Sequence, residues 1–438
     1  MRRGVAVVAL FRQPWFSALY TTRIVGQAAD GVFQASLASA VFFNPDHQTD
    51  PRQAAAGFVI LLLPYSLVGP FAGVFLDRWQ RQRVLVRANL VRASLVVATA
   101  SLLVSTGPRD VPFYVAALAT LSVNRFYLAA LSASLPRVVR RDQLVLANSV
   151  TTTSGSLVSA VGVAVGLGLR HLVGAGDGGD AAVALSSAGV YLAAAAVAAR
   201  IPVRTLGPEL PSNRSLLDEV RHVAQGLVAG AAHVHARPGP RRALAAISAT
   251  RVMFGLTTIA TLLLYRNYFA DEGVLRSGVV GLGQALAAST IGYVTAAALT
   301  PAVVARIGKP AWITGCYAGA AVAQFAGGLP FRMLPLLLGA ATIGFATAGA
   351  KICVDTIVQE QIDDAFRGRV FSFYDTLFNV TFVAAAVLAA FTLPATGRST
   401  GMVVAIAAGY AGSAAGYAWA EHRGTRISAA VSSAAAQA

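Results

Sequence analysis

Apolar runs of about twenty residues recur along this chain, and each is long enough to cross the hydrocarbon core of a bilayer as a helix. Twelve can be counted: 16–42, 54–76, 84–106, 112–134, 147–169, 181–200, 243–265, 277–304, 311–329, 333–356, 370–393 and 401–420. The run at 181–200 is mostly alanine, and that at 277–304 is interrupted by Gly and Thr. Only 12% of the residues are charged, against about 25% in a soluble domain. The chain is therefore expected to be an all-α integral membrane protein with 12 transmembrane helices, not a string of soluble domains. Its first residues, MRRGVAVVALFRQPWF, read as a cytoplasmic stub. The apolar stretch there is short, Arg12 follows at once, and no small-residue cleavage site appears.

The net charge of +16, from 35 Lys and Arg against 19 Asp and Glu, would suggest nucleic acid in a soluble protein. Here the charges lie in short loops. With the N-terminus inside and the spans alternating, 23 Lys and Arg fall on the cytoplasmic side and seven outside. That bias supports twelve spans with both termini cytoplasmic. No zinc knuckle or basic-aromatic platform is present, so nucleic acid is not an expected partner. Cys316 and Cys353 each lie inside an apolar run and read as core filler.

The longest polar segment falls midway. It divides the chain into a bundle at 1–200, a linker at 201–242, a second bundle at 243–420 and a disordered cytoplasmic tail at 421–438. SLLDEV in the linker looks like a capped helix start, with Ser215 as the cap and Asp218 three residues on. The linker should hold an amphipathic helix. Its His222, His233 and His235 lack the spacing and companions of a metal site. The halves echo each other: FLDRWQRQR follows the second run and VVARIGKPA the eighth, while Thr22-Arg23 in the first run matches Thr250-Arg251 in the seventh. Six plus six helices with an internal repeat is a transporter architecture.

A charge at mid-bilayer costs about 2.5–3.5 kcal/mol on insertion scales, yet several runs carry one. Arg23, Gln27, Asp30 and Gln34 are spaced four, three and four apart, which holds them within about 60° of the helix circumference. Such a stripe is expected to face a water-filled cavity. Asn124-Arg125 lie in the fourth run, Arg251 with Thr250, Thr257 and Thr261 in the seventh, and Lys351 and Asp355 in the tenth. Lys351 and Asp355 can neutralise each other at i, i+4. Asp30 is the best candidate for a proton carrier, since burial favours the protonated carboxyl and a neighbouring arginine the ionised one. The other reading is a permanent Asp30–Arg salt bridge between helices. Arg125 and Arg251 have no acid nearby in sequence, so either acids on other helices neutralise them or an anionic substrate does, through the bidentate guanidinium. Arg92 in the third run reads as shallower, an inner-surface or inter-helix contact.

GVFLDRWQRQR at 73–83 resembles the signature loop of the major facilitator superfamily, through Gly73, Asp77, Arg78, Arg81 and Arg83. SLPRVVRRDQLVLANS (134–149) and QEQIDDAFRGRVFSFYD (359–375) are similar to the drug and siderophore exporter branch, the enterobactin-exporter-like group. SGSLVSAVGVAVGLG (154–168) keeps Gly155, Gly162, Gly166 and Gly168 of that family's antiporter stretch, without its proline, and these glycines allow close helix packing. The resemblance implies two pseudo-symmetric six-helix bundles in which the first, fourth, seventh and tenth spans line a central cavity. Each of those four carries a basic residue. It also implies a cytoplasmic latch, with Asp77 near the N-terminal end of the eleventh helix around Gly368 to Ser372, and with Arg78, Arg81 and Arg83 pairing with acids or anionic lipid. Arg367, Arg369 and Asp375 would belong to the same latch. The alternative is that the arginines only fix topology.

Catalysis finds little support: no Ser/His/Asp set, metal-ligand cluster or nucleotide loop appears, and no cofactor is implied. The expected function is a proton-coupled exporter of a small organic compound or drug, anionic or amphiphilic, in a bacterial cytoplasmic membrane, with lipids as its surroundings and the monomer as its state. The alternatives are an importer or uniporter of a metabolite, and a non-transporting membrane scaffold or lipid-handling protein.

Overall fold

The computed structural model describes residues 10–13, 15–43, 79–108, 110–140, 143–174, 176–207 and 216–435. Among them run twelve α-helices: α1 Phe16–Ala38, α2 Arg81–Thr106, α3 Val111–Val138, α4 Leu144–Val173, α5 Asp177–Ala199, α6 Leu216–Ala236, α7 Pro238–Asn267, α8 Gly278–Ile307, α9 Lys309–Gly328, α10 Met333–Gln361, α11 Asp364–Thr392 and α12 Thr400–Ala435. Nine of these are long and apolar enough to cross a membrane; the other three are α1, α6 and α9. Apart from α6, which falls in the segment read as a linker, each coincides with one of the apolar runs. The run at 54–76, with Gly73, and the neighbouring Asp77 and Arg78 lie outside the described residues.

The helix ends follow local chemistry. Gly107 closes α2 at φ 78° and Gly308 closes α8 at φ 79°, a backbone conformation that costs glycine nothing. Pro112 and Pro310 then sit in the first turns of α3 and α9, where the missing N–H has no intrahelical acceptor to lose.

Two expectations are corrected. The chain beyond 421 is helical as far as Ala435, because its alanine-rich sequence, free of proline, prolongs the preceding helix. The helix expected to begin near Gly368 begins at Asp364. Gly368 is not enough to stop it, so Arg367, Gly368 and Arg369 lie inside the helix, and Asp363 occupies the N-cap position.

The described residues form two compact units, one of those up to Val223 and one of those from Ala224 onward. In the first, α1 packs on α4 and α5, and α2 on α3 and α5. In the second, α7 packs on α11 and α12, and α9 on α10 and α12. The two patterns are the same once α1 to α5 are matched with α7, α9, α10, α11 and α12, which leaves α8 without a counterpart among the described residues. The internal repeat read in the sequence is thus repeated in helix pairing.

Small residues set the tightest seams. A Cβ at Gly31 would strike the carbonyl of Ser159, one at Gly162 that of Ala28, and one at Gly166 would fall 2.7 Å from the Cβ of Ala35. Three of the four glycines noted in α4 (Gly155, Gly162 and Gly166) face α1 in this way, while Gly168 meets nothing within 4 Å. The α8–α10 seam is alike, with Gly292 against Ala341 and Gly344 against Ser289. Backbones approach closely where no side chain intervenes, which is how helices associate without a hydrophobic driving force.

Candidate functional site

In the first unit, four helices converge on one carboxylate. Asp30 on α1 accepts a hydrogen bond from Nη1 of Arg92 on α2 at 2.7 Å and another from the hydroxyl of Tyr191 on α5 at 2.7 Å. Arg92 also donates to Asn124 on α3 at 2.8 Å and to Asn89, one turn earlier on α2, at 2.5 Å. Its guanidinium lies over the rings of Tyr127 and Tyr191, 4.0 and 4.4 Å from their centroids. Arg92 is 0% and Asp30 4% exposed. The pair is therefore sealed and hydrogen-bonded, the condition under which a buried ion pair is tolerated.

Arg92 makes the inter-helix contact that was one of its two readings, but at greater depth than expected. It lies eleven residues into α2, about 16 Å along the axis, and so reaches the middle of the helix rather than its rim. One signal was available: Asn89 and Arg92 are spaced three apart and share a face, a polar pair in an otherwise apolar helix.

The polar stripe of α1 is largely buried. Within it, Arg23 Nε donates to Gln27 Oε1 at 3.0 Å, both side chains are buried, and Gln27 packs against Gly155 of α4. Only Gln34 is half-exposed. Protein partners thus meet Arg23, Gln27 and Asp30 of the stripe. Arg125 is half-buried on α3, within the electrostatic reach of Asp30.

The second unit places its charges differently. Lys351 and Asp355 on α10 form the expected i, i+4 pair at 2.7 Å, both partly exposed. The Lys351 ammonium stands 5.3 Å from the ring of Tyr374 and 5.7 Å from that of Phe378, both on α11. Arg251 on α7 is packed among three rings, with Phe378 at 4.0 Å, Phe382 at 4.8 Å and Phe254 at 5.0 Å. Where the first unit joins α1 to α2 through Asp30 and Arg92, the matching helices α7 and α9 are joined by a neutral bond, Thr257 Oγ1 to Gln324 Oε1 at 2.9 Å.

Of the latch residues within the described chain, Arg81 donates to the carbonyls of Ala133 at 2.8 Å and Leu206 at 3.4 Å. It ties together the ends of its own bundle. Arg83 is exposed and lines a groove with Trp79, Arg87 and Phe126. On α11, Arg369 and Asp375 are exposed. The linker helix α6 lies against the start of α11: a Cβ at Gly230 would stand 2.8 Å from the carbonyl of Arg369, and His233 stacks on Phe366 at 4.2 Å. Asp363 receives Arg237 at 2.6 Å and faces His233 at 3.6 Å.

The chain is similar to two mycobacterial proteins. It is 37% identical over 391 residues to an MFS-type transporter of Mycobacterium tuberculosis, Rv0037c, and equally to its counterpart in Mycobacterium bovis, Mb0038c; the match covers 88% of this chain and 86% of either relative. No family model matches. Among solved structures, it resembles the peptide transporter POT, with a TM-score of 0.69 at 12% identity over 94% of this chain and 95% of that one. It also resembles the nucleoside transporter NupG, with a TM-score of 0.63 at 14% identity over 92% and 97%. At such identities the likeness is one of fold.

Proposed function

The chain belongs to the major facilitator superfamily of transporters, and on that premise we propose that it is a secondary active transporter which exports a small organic compound by alternating access, driven by protons moving inward. The observation that carries the proton part is the cluster at Asp30. A carboxylate deep in an apolar bundle, met by one arginine and one tyrosine hydroxyl, is poised between an ionised state held by Arg92 and a neutral state favoured by burial. Arg125, within reach of the same carboxylate, is a second charge whose position can bias that balance. Export as the direction rests on the likeness of residues 73–83, 134–149 and 359–375 to the exporter branch. The bacterial cytoplasmic membrane as the site of action rests on the two mycobacterial relatives, and the orientation in it on the charge bias of the loops.

The test is a proteoliposome assay with an imposed pH gradient and a candidate substrate trapped inside. Substrate efflux that accelerates with the gradient, and that loses this acceleration in the Asp30→Asn variant while counterflow persists, supports the reading. Gradient-independent flux in the wild type makes the protein a uniporter and Asp30 a structural partner of Arg92. Absence of any counterflow across a broad panel leaves the scaffold reading.

A further inference from the structure

Resting on the transporter reading above, we propose that the second unit recognises the acid group of its substrate through Arg251, and that this substrate is an organic monocarboxylate with a flat aromatic body. The argument begins with charge. Lys351 is neutralised by Asp355 at 2.7 Å. Asp375, one turn before Phe378 on α11, lies in the field of Lys351. Arg251 has no such partner: among the described residues no carboxylate pairs with it, and its Nε is buried without a hydrogen-bond acceptor. The three rings around it offer their negative faces to the cation but no lone pair to its N–H groups. A guanidinium held this way keeps its donor fork unused, and a carboxylate is the group whose two oxygens match that fork.

The repeat sharpens the point. Thr22 and Thr250 both bond back to the carbonyl four residues earlier, at 2.8 and 3.0 Å, so Arg23 and Arg251 follow equivalent turns. Arg23 is satisfied by Gln27 at 3.0 Å, and Gly155 of α4 lies alongside. Among the described residues Nε of Arg251 has no acceptor, and α11, the counterpart of α4, brings Phe378 and Phe382 instead. One unpaired cation selects one negative charge. Rings on its flanks select a body that can stack or meet them edge-on, and Phe378 serves both Arg251 and Lys351, 4.0 and 5.7 Å away.

The experiment uses the purified full-length protein in detergent with four probes: 1-naphthoate, its methyl ester, 1-naphthylmethylammonium and octanoate. Binding is read by isothermal titration and by the shift in melting temperature. The expected result is binding of naphthoate, weaker binding of octanoate, and none of the ester or the cation. Arg251→Gln should weaken naphthoate about tenfold to a hundredfold, Arg251→Lys less, and Phe378→Leu should erase the preference for naphthoate over octanoate. Ester binding as tight as the acid in the wild type overturns the proposal even if no variant folds. So does unchanged naphthoate affinity in Arg251→Gln, or no carboxylate binding at millimolar concentration. Counterflow of labelled naphthoate in proteoliposomes keeps the two readings apart. Binding without counterflow retains the site and removes the transporter. Counterflow of a neutral or cationic compound, with no naphthoate binding, retains the transporter and removes the site.

Discussion

Asp30 and Arg92, 62 residues apart in the chain, meet at 2.7 Å with both side chains sealed from solvent. Removing one partner of such a pair strands a charge in the bundle, which typically costs about 3–5 kcal/mol. Arg92→Leu is therefore expected to lower stability by about that amount, and the double variant Asp30→Asn with Arg92→Leu by less than the sum of the single changes. A double-mutant cycle of denaturant unfolding in detergent measures the coupling. Strict additivity would mean that the two residues do not depend on each other.

The seam between α1 and α4 has no room for side chains at Gly31 and Gly162, whose Cβ atoms would strike backbone carbonyls. Gly162→Val should cost about 1–3 kcal/mol from overpacking, seen as a lower melting temperature and poor recovery from the membrane. Gly168→Ala, with open space around it, should be neutral or stabilising by up to about 1 kcal/mol. Equal effects at the two positions would contradict the packing described.

Asp363 clasps the linker helix through Arg237 and His233. Asp363→Ala should leave the two bundles folded but loosen α6 from the start of α11. Limited proteolysis within 216–236 should speed up several-fold, and raised salt should reproduce part of that effect in the wild type, since exposed ion pairs contribute only about 0.2–1 kcal/mol and are screened. Proteolysis at wild-type rates in the variant would show that apolar contacts alone hold the helix.

Asp271, in the loop between α7 and α8, accepts the backbone N–H of Ser277 at 2.7 Å, its hydroxyl at 2.9 Å and Arg276 at 3.2 Å. These donors hold its carboxyl below its ordinary value of 3.8, the Ser277 backbone bond foremost. A depressed carboxylate contributes order that is fully present above the ordinary value and is lost as pH falls through its own lowered one. Amide exchange at Ser277, corrected for the intrinsic effect of pH, should stay slow at pH 5 and rise only below about 3.8. Asp271→Asn should make it fast throughout.

The sequence displayed what depends on local spacing. Helices could be read from twenty-residue apolar runs, and the Lys351–Asp355 pair from its i, i+4 interval, because both are set within a few turns of one helix. The partner of Asp30 could not be read in this way. Arg92 lies on another helix, and the choice among Arg23, Arg92 and Arg125 is made by how α1, α2, α3 and α5 pack. The aromatic surroundings of Arg251 escaped for the same reason. Phe254 is one turn away on its own helix, but Phe378 and Phe382 come from more than a hundred residues along the chain. The extent of α11 was misjudged because Gly368 resembles a helix boundary, while the residues on either side of it favour continuing.

The long sequence interval between Asp30 and Arg92 also bears on how the bundle is made. A ribosome adding about 5–20 residues per second delivers Arg92 roughly 3–12 s after Asp30. Through that interval α1 must wait beside the insertion channel, or sit in lipid with its carboxyl protonated, until α2 arrives. Tyr191, a further 99 residues on, reaches the same carboxylate later still. Biogenesis thus has a built-in order, in which α1 is born before the partners of its carboxylate and is among the last to be settled.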